Sequence, residues 1–230
     1  MRVFAISDLH LSGAAPKPMD IFGRRWTDHW ARIQNNWHAL GIGEEDAVLI
    51  AGDISWAMTL EQAAVDLKEI AALPGRKILL RGNHDYWWNS LTKVRQALHP
   101  TVTAIQNDAL RIGDFCFCGS RGWTVPGSAN FKADDRKIYE RELLRMSLSL
   151  EAAQKLGGRI IAMIHYPPFN ERQEPSGFVE LFEQKGVELV VYGHLHGKSC
   201  LSAFEGSIRG VEYRLTSCDH LSLMPVLLRE

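Results

Sequence analysis

The chain has 230 residues, of which 46% are hydrophobic and 23% charged, and its formal net charge is −1 at neutral pH. That length and balance suit one globular domain with a sizeable core, and the near-zero charge excludes a broad electrostatic footprint for nucleic acid or a membrane surface. Along the chain, an apolar run at residues 3–6 predicts a first strand that stops at Ser7-Asp8-Leu9-His10. Residues 28–40 set Trp30, Ile33, Trp37 and Leu40 on one helical stripe. A second strand at 47–51 ends in Gly52-Asp53, and residues 59–73 open a helix with Thr59 as cap and Gln62 at the capping-box position. A third strand at 78–80 leads into Gly82-Asn83-His84-Asp85, with a helix at 90–98 beyond it. A loosely alternating region at 109–118 precedes a long helix at 136–156, which Gly157-Gly158 stops. A fourth strand at 160–164 ends at His165, before Tyr166-Pro167-Pro168. A short helix at 178–184 leads to a fifth strand, Leu189–Tyr192, and then Gly193-His194-Leu195-His196. Residues 207–216 alternate loosely again, and 221–228 form a closing strand that Pro225 confines to an edge.

Short runs buried on both faces, alternating with helices, predict an α/β layer architecture, and the late strands predict a second sheet. The longest loops, 13–18 and 119–135, adjoin the polar strand ends, as substrate-facing loops do. Cys116, Cys118, Cys200 and Cys218 form no CxxC pair and are expected to be small buried hydrophobes in a reducing cytoplasm. No apolar run is long enough to span a bilayer, and the N-terminus lacks a signal-peptide core, so the expected location is the cytoplasm.

The acids, amides and imidazoles able to bind metal fall just beyond the apolar runs. Ligands collect outside the carboxyl ends of strands in open α/β sheets, so these loops are expected to converge. In extended backbone, residues i and i+2 point the same way, which would aim Asp8 with His10, and His194 with His196, at one cavity. Glycine at 52, 82 and 193 permits sharp turns close to it. Carboxylate, amide and imidazole together suit Mn, Fe or Zn, and there are donors enough for two ions. Asp-x-His and Gly-Asp alone carry little weight. Gly-Asn-His-Asp would arise in a random chain of this length on the order of once in a thousand cases, and the ordered set is far rarer.

That set (Asp-x-His, Gly-Asp, Gly-Asn-His-Asp, a lone His, Gly-His-x-His) resembles the calcineurin-like metallophosphoesterase superfamily, motif by motif, over residues 8–196. One departure is Leu11-Ser12-Gly13 after His10, where many members place glycine sooner; it alters the loop path and removes no ligand. The resemblance implies a four-layer α/β/β/α fold, two mixed β-sheets packed as a sandwich flanked by helices, with residues 1–230 as a single domain. It implies one divalent ion held by Asp8, His10 and His196, a second by Asn83, His165 and His194, and Asp53 bridging both. It sets His84 near the leaving group, with Asp85 orienting it. The implied activity is phosphoester hydrolysis, in which a hydroxide bridging the two metals attacks phosphorus. His84 would either offset charge on the phosphoryl oxygens or protonate the leaving alkoxide.

Monoesters, diesters and pyrophosphates share such a core. A phosphorylated small molecule is the expected substrate. A nucleotide or nucleic-acid phosphodiesterase or a pyrophosphohydrolase is the alternative, and a metal-free scaffold is disfavoured because no ligand position is lost. Seven tryptophans and clustered arginines motivate a third reading, action on a phospholipid-linked substrate at a membrane. Trp26, Trp30 and Trp37 fit a core stripe, whereas Trp56, Trp87, Trp88 and Trp123 lie near site loops and are open to a cleft role. Arg24, Arg25, Arg121 and Lys198 could meet phosphate but fit solvated surface better. Cys218-Asp219-His220 is no catalytic triad, since adjacent strand residues point apart.

Overall fold

The computed structural model describes residues 1–230. Its strands are β1 (Val3–Ala5), β2 (Ala47–Ile50), β3 (Arg76–Leu80), β4 (Val102–Ile105), β5 (Ala109–Ile112), β6 (Phe115–Ser120), β7 (Arg159–Ile164), β8 (Leu189–Tyr192), β9 (Gly206–Ile208), β10 (Val211–Leu215) and β11 (Val226–Arg229). Its α-helices are α1 (His29–Ala39), α2 (Leu60–Ala72), α3 (Leu91–Ala97), α4 (Ala133–Leu156) and α5 (Gly177–Gln184). They form two mixed sheets flanked by helices, in two compact units: Met1–Ala104 with Thr216–Glu230, and Ile105–Leu215.

The first unit carries the sheet β11-β1-β2-β3-β4. β1, β2 and β3 run parallel, with Val3 opposite Ala47 and Ala47 opposite Arg76. Their residues are buried on both faces, as continuous apolar strands under helices must be. β11 pairs antiparallel with β1 at the sheet edge, and Pro225 immediately precedes it, where its missing N–H costs no ladder bond. Of the expected 221–228 strand only residues 226–228 are extended, within β11; residues 221–223 form a turn instead. Ile33 and Trp37 from α1, Ala63, Leu67 and Ile70 from α2, and Val94 from α3 share one core with Phe4, Val48, Ile50 and Leu79.

The second unit carries β5-β6-β7-β8-β10-β9. β6, β7, β8 and β10 are parallel, and β5 and β9 close the two edges antiparallel. The loosely alternating, strand-like regions at 109–118 and 207–216 are each a hairpin, turned at Gly113 and at Arg209-Gly210, all in the left-handed region. α4 packs on β5, β6 and β7, sending Met146, Leu150 and Ala153 into a core shared with Cys116 and Cys118.

Local chemistry sets the helix ends. Thr59 Oγ1 accepts from the Gln62 amide at 3.3 Å, and the Gln62 side chain accepts from the Met58 amide at 3.0 Å. α4 begins at Ala133, earlier than the hydrophobic pattern indicates, because Asp135 Oδ2 accepts from the Lys132 amide at 2.8 Å and caps the first turn.

Candidate metal centre

In the first unit, three adjacent parallel strands deliver polar residues at their carboxyl ends: β1 leads to Asp8 and His10, β2 to Asp53, and β3 to Asn83, His84 and Asp85. Asp8, His10 and Asp53 are buried, at 0%, 4% and 1% exposure, and Asn83 and His84 are half-buried. The donor atoms of Asp8 and His10 lie within 4.8 Å of each other, and His10 Nε2 is 3.9 Å from Asp53 Oδ2.

Asp8 and His10 do not meet by strand alternation. Their φ angles are 58° and 48°, and those of Asp53 and His194 are 51° and 73°, all in the left-handed region that non-glycine residues seldom occupy. The expected extended geometry at residues 8–10 is therefore replaced by two left-handed turns. Backbone bonds between the β1 and β2 exits hold this path: Asp8 N to Gly52 O at 2.9 Å, His10 N to Asp53 O at 3.0 Å and Leu11 N to Ile54 O at 3.0 Å. Such strain persists at functional sites because the surroundings over-determine it.

Asp85 works through backbone. Its Oδ1 accepts from the amides of Ile54 and Ser55 at 2.9 and 3.1 Å and from the Trp87 indole at 3.0 Å, and its Oδ2 accepts from the Gly82 amide at 2.7 Å. It thus ties the loop after Asp53 to the loop bearing Asn83 and His84. His84 Nδ1 has no hydrogen-bond partner, so the hold on His84 runs through the loop rather than the imidazole. Burial, and secondarily the charge of Asp53, push the Asp85 carboxyl above its ordinary range. The His84 amide in turn donates to Asp53 Oδ1 at 2.8 Å.

Asp66 was not singled out by the motifs. This buried acid on α2 accepts from the Gly13 amide at 2.8 Å and from the Ser55 hydroxyl, joining the segments that follow His10 and Asp53. Its signal in the sequence was an acid on the apolar stripe of Ala63, Leu67 and Ile70.

In the second unit, β7 leads to His165 and its parallel neighbour β8 to His194 and His196. His165 is fully buried, and the donor atoms of His165 and His194 lie within 4.8 Å, with ring centroids 5.1 Å apart. The Gly193 amide donates to His165 O at 3.2 Å, fixing one exit against the other. Tyr166 packs its ring 4.3 Å from that of His194. His196 is half-buried, and its carbonyl accepts from the Ser199 amide at 3.0 Å.

Among the tryptophans, Trp87 and Trp88 are core residues, at 1% and 0% exposure; proximity in sequence to His84 did not aim them at a cleft. Trp56 does flank the site residues, stacked on His10 with ring centroids 4.9 Å apart and tilted against His84 at 4.5 Å. Trp123 packs 5.2 Å from Tyr166 and donates to Asp135 Oδ1 at 2.9 Å. Trp37 is core, and Trp26, also buried, meets His10 edge-on at 5.9 Å. Arg25 lies 3.4 Å from Asp219, and Arg121 lies over the Trp123 ring at 4.9 Å.

Buried carboxylates and imidazoles are costly without a cation to face, and this oxygen-and-nitrogen set fits divalent transition metals. A mixed-sheet α/β fold with these donors at its strand ends defines a metal-dependent phosphoester hydrolase. The chain belongs to the calcineurin-like phosphoesterase family, whose model matches residues 1–198. It is 27% identical over 209 residues to UDP-2,3-diacylglucosamine hydrolase of Ralstonia nicotianae, a match covering 84% of this chain and 76% of that protein. Among solved structures it resembles calcineurin-like phosphoesterase YfkN from Bacillus subtilis, at TM-score 0.54 and 14% identity over 95% of this chain and 82% of that one. Phosphopantetheinyl hydrolase from Mycobacterium tuberculosis aligns at TM-score 0.52 and 16% identity, over 92% of this chain and 87% of that one. At these identities the two structures speak for the fold. No helix is long and apolar enough to cross a membrane.

Proposed function

We propose that residues 1–230 act as one metallophosphoesterase domain that hydrolyses a phosphorylated small molecule at a dinuclear centre. Asp8, His10 and His196 would hold one divalent cation, Asn83, His165 and His194 the other, and Asp53 would bridge them. The observation that carries this reading is the full set of family donors, each at the carboxyl end of a parallel strand. Manganese, iron and zinc all suit the donors. When bound, such a pair supplies an activated water at neutral pH and neutralises charge on the phosphoryl group.

The chain's own residues supply the rest. His84 contacts the reacting phosphoester, either donating to its oxygens or passing a proton to the departing alkoxide. Asp85 positions His84 and Asn83 by fixing their loop. Trp56 shields His10 and His84 from water on one side. The four cysteines are free thiols, which supports a reducing cytoplasmic setting. The name of the Ralstonia relative supports the alternative, a pyrophosphohydrolase or phosphodiesterase acting on a nucleotide derivative.

A substrate panel with Mn²⁺, comprising an aryl phosphate, an aryl phosphodiester, cyclic nucleotides and nucleoside diphosphate derivatives, separates these chemistries. Asp53→Ala should lose both bound metal and hydrolysis. Metal content and activity equal to the unmodified protein would end the assignment.

A further inference from the structure

A second-unit pocket of 260 Å³ opens beside His194 and Tyr166. Its apolar wall is aromatic. Phe169 and Phe204 lie with ring centroids 4.4 Å apart, and Tyr213 meets both rings edge-on from behind, at 4.9 and 5.9 Å. The wall is held in place: Tyr192 Oη donates to Phe204 O at 2.7 Å, and Phe169 and Tyr192 are buried. The polar side of the lining includes Ser128, Asn130, Ser199 and Ser202, with the carboxylate of Glu171 among them. Glu171 Oε2 accepts from the Ala129 amide at 3.2 Å, which fixes that charge near the lining.

We propose that this pocket receives the organic group of the phosphoester, and that the group is an uncharged, hydroxylated ring of nucleoside or sugar size. The proposal rests on the metal centre above, because His194 is both a ligand there and part of this lining. Three properties of the pocket select the chemistry. Its volume falls just below the range of about 300–1,000 Å³ typical of small-molecule sites, so it takes one ring system with its attached sugar or hydroxyls. It has no room for a pair of fatty acyl chains. Half-buried Phe204 and Leu195 offer apolar contact to a ring, while the serine hydroxyls and the asparagine amide match hydroxyl groups. Glu171 repels a second phosphate, so an organic group carrying additional anionic charge is disfavoured.

The test compares kcat/KM, with Mn²⁺ present, for thymidine monophosphate, glucose phosphate and glycerol phosphate. It also compares the p-nitrophenyl diesters of thymidine monophosphate and of methyl phosphate, so that monoester and diester chemistry are both sampled. One of the ring-bearing esters should exceed its small counterpart by about tenfold or more, the scale at which one pocket discriminates. A lead for thymidine identifies a nucleoside site, and a lead for glucose a sugar site. Ala203→Trp, and independently Thr124→Trp from a different segment, both at half-buried lining positions, fill the pocket and should erase the preference while leaving glycerol phosphate turnover nearly unchanged. Saturation-transfer NMR with free thymidine and methyl glucoside on metal-free protein gives a readout independent of catalysis. Ring signals should appear for the unmodified chain and vanish in both variants. Equal kcat/KM for ring-bearing and small esters, or a preference that survives both substitutions, would overturn the proposal. Absence of all turnover by metal-loaded protein, with ring binding intact by NMR, would instead overturn the phosphoesterase reading on which it rests.

Discussion

Gly82 lies so close to Asp53 that a Cβ built on it would sit 2.1 Å from Asp53 Oδ1 and 2.2 Å from the Asp53 amide nitrogen. One of those neighbours is backbone and cannot rotate away. Gly82→Ala should therefore displace the proposed bridging carboxylate, lowering metal content and reducing kcat/KM by about 10²-fold, as roughly 1 Å of misplacement does elsewhere. Metal analysis and steady-state kinetics on the purified variant check this, and wild-type values in both would refute it.

Asp85 accepts hydrogen bonds from three backbone amides and one indole in a buried setting. Asp85→Ala leaves these donors without an acceptor, at about 1–3 kcal/mol for each group that water cannot reach. Urea unfolding of metal-free protein should show a loss of about 3 kcal/mol or more. Measuring without metal separates this structural role from any effect on ligand binding, and an unchanged midpoint would contradict the clamp.

His84 has a buried Nδ1 without a partner and is held by its main chain, so its ring can be removed without dismantling the loops. His84→Ala should keep its metal and lose about 10²–10⁴ in kcat, the usual worth of a positioned acid or donor. The two roles open to it part on leaving-group dependence. If His84 protonates the alkoxide, alkyl esters should suffer far more than p-nitrophenyl esters; if it stabilises charge, both should fall alike. Loss of metal from this variant would count against the assignment of ligands.

Lys77 on β3 is 1% exposed, and its ammonium donates to Leu73 O at 2.5 Å and Ala71 O at 3.3 Å, near the end of α2. Burial draws its pKa down from the ordinary 10.5 to about 8. Between those values the unfolded chain binds the extra proton, so stability rises with pH across that window as the cost of burying the charge is relieved. The difference in unfolding free energy between the natural chain and Lys77→Met should therefore grow in favour of lysine from about pH 8 to about pH 10.5. A difference that stays flat over that interval would place the charge in a better-solvated setting.

Legibility differed from element to element for definite reasons. The strands delivering Asp8, Asp53, His165 and His194 were plain because each is an unbroken apolar run closed by a polar turn, a pattern that burial on two faces requires. β4 is not legible, since Thr103 breaks Val102–Ile105 into an interrupted apolar run. The 109–118 and 207–216 regions show only loose alternation along the chain because a two-residue turn barely interrupts it, while chain reversal at Gly113 and Gly210 depends on pairing. Trp87 and Trp88 follow the most diagnostic motif in the chain and yet face the core.

The order and chemical identity of the donors, the α/β alternation and the family were settled by the linear chain, because strand periodicity and short polar motifs are local properties. The left-handed turns at Asp8, His10, Asp53 and His194, the backbone clamps of Asp85 and Asp66, and the aromatic pocket beside His194 were decided by tertiary structure. Each depends on hydrogen bonds or packing between segments remote in sequence, whose directions no local pattern encodes.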